Sequence, residues 1–416
     1  MYYKRAIEKV LTKLSKQTVC ITLYGARQTG KSTVVKELFS NYDYVTLDNL
    51  DELRFAKNNP KEFLKNHKLP LIIDEIQRAP ELLTEIKIVI DEYKYKNLKA
   101  NKKNKLLFVL TGSNQTKLKK AAVESLAGRT LIVNMSSFSR TEIMKQDGNA
   151  FVPKIEILKK KEDKLINSVS RKQIFEDIYK GGMPEYIDKE GDRNKFFESY
   201  VSSYIEKDIM ELIDASNIHQ FKSFLEYVAL RTAQQLNYSD ISKSVGIDNR
   251  TCKKYLSILE FSGIIMLLRP YMSNKSKRII KSPKLYFLDT GLCSYLCKWP
   301  SPSMLEKSAM AGAFFETYVV SEIYKSYIND GKDFSFYFYY YRDKDNKEID
   351  LIYEEGDSIV PIEIKKGINA DKPNKNFDVL LKFKKKVKTG LVIDTHDKIQ
   401  PINEKAYYCP IDLIGR

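Results

Sequence analysis

Apolar residues in the first third of the chain follow two alternating patterns. Short runs rich in Val, Ile and Leu indicate strands that are buried on both faces, as in a parallel sheet. The stretches between them carry apolar residues at helical spacing and supply the crossovers that parallel strands need. The pattern predicts strands at 19–24, 42–48, 69–74, 106–111 and 130–133, helices at 1–18, 33–39, 51–68 (broken at Pro60) and 80–94, and a basic loop at 96–105. We therefore predict an α/β domain with a doubly wound parallel sheet over residues 1–145.

A glycine-rich turn joins the first predicted strand to the next helix. Residues 25–32 read G-A-R-Q-T-G-K-S and match the phosphate-binding pattern G-x-x-x-x-G-K-[ST] in its strand–turn–helix setting. The glycines allow backbone N–H groups to point at phosphate oxygens, and the helix N-terminus favours negative charge. Lys31 is expected to reach the β- and γ-phosphates, and Ser32 to ligate Mg²⁺. The predicted contacts of ATP are Gly25, Arg27, Gln28, Thr29, Gly30, Lys31, Ser32 and Thr33.

An acidic pair, Asp74 and Glu75, follows an apolar strand about 40 residues after this loop. Open α/β sheets place ligands at the carboxyl ends of their strands, so the pair is expected beside the phosphates. We interpret it as a Walker B element. Asp74 is predicted to hold Mg²⁺ together with Ser32, and Glu75 to polarise the attacking water.

Polar residues after the next two strands are further candidates for the nucleotide site. Ser113 and Asn114 follow the strand at 106–111. In ATPases of the AAA+ type a polar residue here senses the γ-phosphate, whereas a helix N-cap would also suit Ser113. Arg129 precedes the strand at 130–133 and is a candidate arginine finger or sensor, acting in the same chain or on a neighbouring subunit. A surface arginine fits the spacing equally well, and oligomerisation stays open.

The middle of the chain changes character twice. Residues 146–218 begin with a polar segment at 146–170, which we interpret as an insertion or flexible excursion. Helices follow at 171–215 and are predicted to form a lid or connector against the ATPase core.

Residues 219–291 predict a winged helix-turn-helix, with helices at 221–235, 238–245 and 249–261 and strands at 264–269 and 278–281. Arg250, Thr251, Lys253 and Lys254 should face outward at the start of the third helix, and Lys275–Lys277 should form the tip of the wing. Such a surface suits double-stranded DNA, although a winged helix also serves for packing or protein contact.

Residues 305–416 contain a third group of charged residues. A helix at 311–325 carries Glu316, and a hairpin carries Asp350 on one strand and Glu363 on the other. Glu363 and Lys365 are two residues apart and share one face of their strand. Asp350 and Glu363 are predicted to bind a second Mg²⁺, and Lys365 to orient or deprotonate a water for attack on a phosphodiester.

This spacing resembles the PD-(D/E)xK nucleases, and Glu316 matches the helical carboxylate that those enzymes often add. Ile349 stands where the name of that family expects proline. Nearly the whole chain resembles a prokaryotic family of AAA+-type ATPases with a C-terminal restriction-endonuclease-like domain of unknown function. The segments that carry this resemblance are 25–33, 71–77, 110–114, 127–129, 239–263 and 348–365. The resemblance implies a restriction-endonuclease-like α/β domain at 305–416.

Composition adds a preference for polyanions. Lys and Arg number 70 against 54 Asp and Glu, a formal net charge of +16. This favours contact with nucleic acid, although a proteome with a lysine bias would produce the same excess. The five cysteines are scattered, as in a reducing cytoplasm, and no run of 18 apolar residues predicts a membrane span.

Three functional hypotheses follow from these motifs. The first is an Mg²⁺-dependent ATPase that acts on double-stranded DNA and carries a nuclease-like C-terminal domain. The second is a slow nucleotide-dependent switch whose C-terminal domain is catalytically inactive and binds protein. The third, a small-molecule kinase, agrees least with the acidic pair Asp74 and Glu75, which suits the activation of water.

Overall fold

The computed structural model describes residues 2–113, 125–163, 169–189, 191–205, 217–274, 276, 278, 281–368 and 370–416. The chain forms two compact units. The first comprises Met1–Phe138, Phe261–Gly263 and Ile328–Gly331, and the second comprises Ser139–Glu260, Ile264–Tyr327 and Lys332–Arg416. The segments predicted at 146–218, 219–291 and 305–416 thus fall almost entirely in one unit. None of the helices in the described ranges is long and apolar enough to cross a membrane.

The first unit contains a five-stranded parallel sheet of order β2-β3-β4-β1-β5. Its strands are β1 (Cys20–Tyr24), β2 (Asp43–Thr46), β3 (Leu71–Asp74), β4 (Phe108–Gly112) and β5 (Leu131–Asn134). Its helices are α1 (Glu8–Leu14), α2 (Lys31–Leu38), α3 (Leu50–Asn58), α4 (Pro60–Asn66) and α5 (Leu82–Lys99). The predicted α/β class is confirmed for this unit.

Apolar residues cover both faces of this sheet. Ile72 and Ile73 are adjacent in β3 but belong to different hydrophobic clusters, because successive side chains of a strand point to opposite faces. Both are fully buried, as expected for a parallel sheet between two layers of helices. Helix α5 extends five residues beyond the predicted end, into the basic segment, because lysines suit the last turn of a helix.

The second unit contains most of the helices of the chain and two further sheets. Its helices are α6 (Arg140–Ile143), α7 (Ile155–Glu162), α8 (Arg171–Lys180), α9 (Pro184–Lys189), α10 (Arg193–Tyr200), α11 (Ile218–Ala229), α12 (Tyr238–Val245), α13 (Asn249–Phe261), α14 (Thr290–Leu296), α15 (Pro302–Lys307) and α16 (Ala311–Asn329). A π-helical segment, Val201–Ile205, follows α10.

The smaller of these sheets is antiparallel, of order β6-β8-β7, with β6 (Gln234–Gln235), β7 (Ile265–Leu268) and β8 (Lys284–Phe287). The larger sheet is mixed, of order β14-β15-β13-β11-β10-β9, with β12 paired to β11. Its strands are β9 (Phe338–Arg342), β10 (Glu348–Glu355), β11 (Ser358–Ile364), β12 (Lys386–Val387), β13 (Gly390–Asp394), β14 (Gln400–Asn403) and β15 (Ala406–Pro410).

The polar segment at 146–170 is part of the core of the second unit, so the predicted excursion is wrong for its described residues. Phe151 and Leu158 are fully buried, and the Phe151 N–H donates to Ser326 Oγ at 3.1 Å. The helices after it contribute Ile174 and Phe197 to the same hydrophobic cluster. These helices form part of the core of the second unit, whereas the prediction was a lid or connector against the ATPase core. Residues 206–216, the end of the predicted helical stretch, lie outside the described residues.

The second strand of the wing, predicted at 278–281, is wrong for its described residues, 278 and 281, whereas 279 and 280 lie outside the described residues. The strand that pairs with β7 is β8, which begins three residues after the predicted strand at 278–281 ends. Arg278 is buried instead, and its Nη1 lies 2.8 Å from Glu354 Oε2 while its Nε donates to the Met272 carbonyl. A guanidinium placed in this way cannot be exposed on a wing. Lys275 and Lys277, predicted at the tip, lie outside the described residues.

Candidate nucleotide site and C-terminal charged cluster

The loop between β1 and α2 has the geometry of a phosphate-binding turn. Gly30 lies in the left-handed region, with φ +88°, and Gln28 does too, with φ +58°. A Cβ atom on Gly25 would lie 1.9 Å from the carbonyl oxygen of Met135, so only glycine fits there. Helix α2 starts at Lys31, and the N–H groups of its first turn are therefore available to an anion.

The side chains of the loop are partly engaged within it. The Lys31 ammonium is buried and donates to the carbonyl oxygens of Gly25 at 3.1 Å and Ala26 at 2.8 Å. Thr29 is buried, and its hydroxyl also donates to the Ala26 carbonyl, so its side chain shapes the loop. In the described part of the chain Gln28 Oε1 is buried without a hydrogen-bond partner. Arg27 is half-buried and Thr33 is exposed.

Arg5, which the sequence analysis missed, fixes the loop from the N-terminal segment. It is 2% exposed, and its guanidinium donates to the carbonyl of Thr29 at 2.7 Å and to that of Ser136 at 2.9 Å. The same group lies over the Phe138 ring, 4.6 Å from its centroid. A single planar cation thereby joins the loop to the chain that leaves β5. Nothing local to Arg5 in the sequence signals this partner.

Asp74 accepts hydrogen bonds from three hydroxyl groups that come from three different elements. Ser32 Oγ donates to Oδ1 at 3.0 Å, Tyr44 OH donates to Oδ2 at 2.8 Å, and Thr111 Oγ1 donates to Oδ1. Burial and the nearby Asp74 raise the pKa of the Tyr44 hydroxyl, which keeps it a donor. The structure brings the predicted Ser32 and Asp74 together, and it adds Tyr44 and Thr111, which the sequence analysis did not single out.

Glu75 lies in the left-handed region with φ +58°, an uncommon conformation for this residue type. Its Oε2 accepts a hydrogen bond from Ser113 Oγ at 3.0 Å and another from the Gln77 amide. Ser113, one of the two predicted sensors, is thus beside the predicted catalytic carboxylate. Asn114, the other predicted sensor, lies outside the described residues.

Arg129 is far from the loop within its own chain. Leu131 is level with Ile21 in the parallel pairing of β5 with β1, so Arg129 precedes the amino ends of the strands. The loop follows their carboxyl ends, roughly 20 Å away at about 3.3 Å per residue. Arg129 pairs with Asp91 instead, through contacts of 2.7 and 2.8 Å. The predicted role of Arg129 at the nucleotide site of its own chain is therefore corrected, and the role on a neighbouring subunit stays a prediction.

These observations agree with the binding of a nucleoside triphosphate together with Mg²⁺. The loop offers backbone N–H groups, a lysine and a glycine that no larger residue replaces. Ser32 and Asp74 offer neighbouring hydroxyl and carboxylate oxygens, the hard ligands that Mg²⁺ prefers. The residues of this site therefore fit a triphosphate with bound Mg²⁺.

The predicted DNA-contact residues are exposed on α13. Arg250, Lys253 and Lys254 are exposed, while Cys252 and Tyr255 on the other side of the helix are buried. Asp248 caps this helix, accepting from the N–H groups of Arg250 and Thr251 at 2.7 and 2.9 Å. Because Thr251 Oγ1 also donates to Asp248, the Thr251 side chain is engaged in the cap.

A charged cluster in the second unit surrounds Lys284, the first residue of β8. We call it the Lys284 cluster: Lys284, Glu316, Glu348 and Asp350. Lys284 is 3% exposed, and its Nζ lies 2.8 Å from Glu316 Oε1, 2.5 Å from Glu348 Oε1 and 3.6 Å from Asp350 Oδ1. Tyr286 OH donates to the same Glu316 oxygen at 2.6 Å. Lys284 was not among the predicted site residues, because the predicted strand at 278–281 ends before it.

The predicted nuclease residues lie at one end of the β10–β11 hairpin. Asp350 Oδ2 accepts from the Ile364 N–H at 2.9 Å, and Lys365 Nζ lies 2.6 Å from Glu363 Oε1. Burial, and to a smaller extent repulsion from the Asp350 carboxylate, raises the pKa of Glu363 to about 8 and the pKa of Glu316 to about 7. Burial alone would lower the pKa of Lys284, but the surrounding acidic groups raise it above its usual value. Lys284 therefore carries its charge at neutral pH.

The cluster does not fit the Mg²⁺ that was predicted at Asp350 and Glu363. The ammonium of Lys284 lies 3.6 Å from Asp350 Oδ1 and that of Lys365 lies 2.6 Å from Glu363 Oε1, so positive charge already faces both carboxylates that a metal ion would need. Within the described ranges, no group of three or more His, Cys, Asp or Glu side chains is arranged to hold a metal ion. We therefore derive no metal-dependent step at this site.

Three family models match consecutive parts of the chain. Residues 17–144 match an AAA domain, residues 171–303 match a domain of unknown function (DUF8612), and residues 311–414 match another domain of unknown function (DUF4143). The first match and the strand order of the sheet identify residues 17–144 as a P-loop ATPase domain of the AAA type.

Two curated proteins are similar to most of the chain. The uncharacterized proteins Rv2008c of Mycobacterium tuberculosis and Mb2031c of Mycobacterium bovis are each 23% identical over 354 residues, which is 83% of this chain and 70% of theirs.

Among solved structures, the Walker-type ATPase paby2304 of Pyrococcus abyssi has a TM-score of 0.42 and 17% identity, with 71% of this chain and 96% of that chain covered. A mutant of RuvB from Thermotoga maritima has a TM-score of 0.25 and 15% identity, with 63% and 86% covered.

Proposed function

We propose that the protein is an Mg²⁺-dependent ATPase, and that its second unit binds double-stranded DNA. The observation that carries the ATPase proposal is the contact between Ser32 and Asp74. This contact lies beside the phosphate-binding loop, in which position 25 accepts only glycine. Glu75, which directly follows Asp74 at the carboxyl end of β3, supplies the carboxylate that a hydrolase needs.

The residues of the site divide the work of hydrolysis between them. The N-terminus of α2 and Lys31 bind and neutralise the phosphates. Ser32 and Asp74 would hold Mg²⁺, which would supply positive charge beside the phosphates. Glu75 orients the attacking water and accepts its proton. Ser113 and Gln77 both donate hydrogen bonds to this carboxylate. When water binds to Glu75, these hydrogen bonds must either break or be made alongside the one from water.

Glu75→Gln tests this assignment with a nearly isosteric change. We expect ATP binding to persist while the rate of phosphate release falls by about 10²–10⁴-fold, the usual contribution of a general base. Lys31→Ala is the matched variant, in which binding itself is expected to fail. A Glu75→Gln protein that hydrolyses ATP at the wild-type rate would exclude Glu75 as the base.

The DNA proposal is supported by the exposed Arg250, Lys253 and Lys254 on one face of α13, after the short helix α12 and a turn. This face suits the phosphates and base edges of a major groove. Binding of a duplex to wild type and to the charge-reversed Arg250→Glu/Lys254→Glu protein tests it. Equal affinities would refute the assignment.

For the C-terminal region we infer the catalytically inactive alternative, because the ammonium groups of Lys284 and Lys365 face Asp350 and Glu363, the two residues predicted to bind a metal. The test is plasmid incubated with Mg²⁺ or Mn²⁺ and wild type, Asp350→Ala or Glu363→Ala protein. We expect the plasmid to persist equally in all three. Cleavage that only wild type performs would restore the nuclease hypothesis.

A further inference from the structure

We propose that an open groove in the second unit binds single-stranded nucleic acid, along a path from the α13 face toward the Lys284 cluster. The inference rests on the proposed nucleic-acid function of this unit. The groove has a volume of about 1010 Å³ and is lined from both sheets of the unit. Its lining residues come from β6 and the start of α12, from β9 and the loop after it, and from the segments at 270–274, 281–282 and 382–383. It is at the upper end of the size of small-molecule pockets, about 300–1,000 Å³, and open to solvent.

The charge of the groove selects an anion. Among the described residues that line it are four cations, Lys281, Arg342, Lys344 and Lys382, and one acidic residue, Asp343. Lys281 and Lys344 are exposed. Their ammonium groups can therefore contact phosphates without breaking a buried ion pair. Positive side chains that line a groove track the backbone of a nucleic-acid strand.

The other lining residues suit unpaired bases. Half-buried rings of Tyr238 and Phe383 border the groove, and such rings stack with bases of any sequence. Gln235, Asn237 and Asn346 add amide groups, which form hydrogen bonds with base edges. A duplex keeps its bases stacked on each other and would leave these groups unused. The combination therefore favours a single strand.

Two contacts connect the groove to the surfaces already described. The Lys253 ammonium of the α13 face lies over the ring of Tyr238, a lining residue, 5.4 Å from its centroid. Arg342, another lining residue, lies 3.6 Å from Glu348, which pairs with Lys284. A strand in the groove would thus run from the DNA-contact helix to the charged cluster.

Fluorescence anisotropy with a labelled oligothymidylate, without ATP, tests the proposal. In Lys281→Glu/Lys344→Glu we expect binding to weaken by about tenfold or more. A plot of the logarithm of the binding constant against the logarithm of the salt concentration has a negative slope. Its magnitude should decrease by about 1.4, because two phosphate contacts are lost and each contributes about 0.7 for a single strand. Lys172→Glu/Lys307→Glu is the matched control, with two exposed lysines of the same unit and the same change in net charge. This control should bind as wild type does.

A second set of measurements separates this proposal from that of the duplex face. Arg250→Glu/Lys254→Glu should weaken the binding of a duplex more than that of oligothymidylate, and the groove variant should do the reverse. Absence of oligothymidylate binding in wild type, or an equal loss in the groove variant and the control, overturns the groove. If duplex binding is lost in Lys281→Glu/Lys344→Glu but kept in Arg250→Glu/Lys254→Glu, the assignment of duplex binding to α13 is overturned. The ATPase proposal does not depend on this result.

Discussion

Replacing Lys284 by methionine removes the positive charge from the Lys284 cluster while keeping a side chain of similar length. At 2.5 and 2.8 Å, two carboxylate oxygens each attract the ammonium by about 6 kcal/mol at an effective dielectric constant of 20, and burial of the charges opposes much of this. Loss of one partner of a buried ion pair costs about 3–5 kcal/mol, because the other charges are left unpaired. We expect the free energy of unfolding of the second unit to fall by this amount.

Urea denaturation measures the effect. With an m-value of about 1–3 kcal/mol/M, a loss of about 3–5 kcal/mol lowers the midpoint for the second unit by about 1–5 M. Lys307→Met, which removes an exposed lysine, is the control and should change stability by less than about 0.5 kcal/mol. The double variant Lys284→Met/Glu316→Gln should recover part of the loss, since it removes one of the unpaired charges. A Lys284→Met protein as stable as the control would refute the placement of this ammonium among the carboxylates.

Three further predictions concern the two sites. Gly25→Ala should abolish ATP binding in a calorimetric titration, because its Cβ would lie 1.9 Å from the Met135 carbonyl oxygen; binding at wild-type affinity would contradict the loop geometry. Tyr44→Phe removes a 2.8 Å hydrogen bond to Asp74, and we expect a higher Mg²⁺ concentration for half-maximal ATPase rate, whereas an unchanged value would show that this bond does not position Asp74. The raised pKa of Glu363, about 8, means that the folded state holds its proton more tightly than the unfolded state. Stability from this group is therefore fully present below the usual pKa of Glu and is lost as pH rises toward 8. Urea midpoints of wild type should fall between pH 5 and pH 9, and those of Glu363→Gln should fall less; parallel curves would contradict the shift.

Local sequence was sufficient for the ATPase domain and its loop. Buried strands show as apolar runs, the loop shows as glycine and lysine at fixed spacing, and an acidic pair such as Asp74 and Glu75 shows at a strand end. Each of these signals is contained within about ten residues, and each depends on the backbone conformation of its own segment. The break at Pro60 follows from the same local rule, since proline suits the first turn of a helix.

Tertiary structure decided which distant side chains meet. Tyr44 and Thr111 join Asp74 only because their strands lie on either side of β3 in the sheet. Arg129 is distant from the loop because β5 runs parallel to β1, which puts its start at the opposite edge.

Lys284 shows the limit most clearly. As a lysine at the start of an apolar strand it resembles an ordinary surface charge, and its burial depends on the packing of α16 and β10 around it. The sequence by itself determined the nucleotide loop and the parallel strands, because residue type and spacing act within one segment. Only the tertiary structure decided the partners of Arg5, Asp74 and Lys284, because strand order and packing between distant segments bring those partners together.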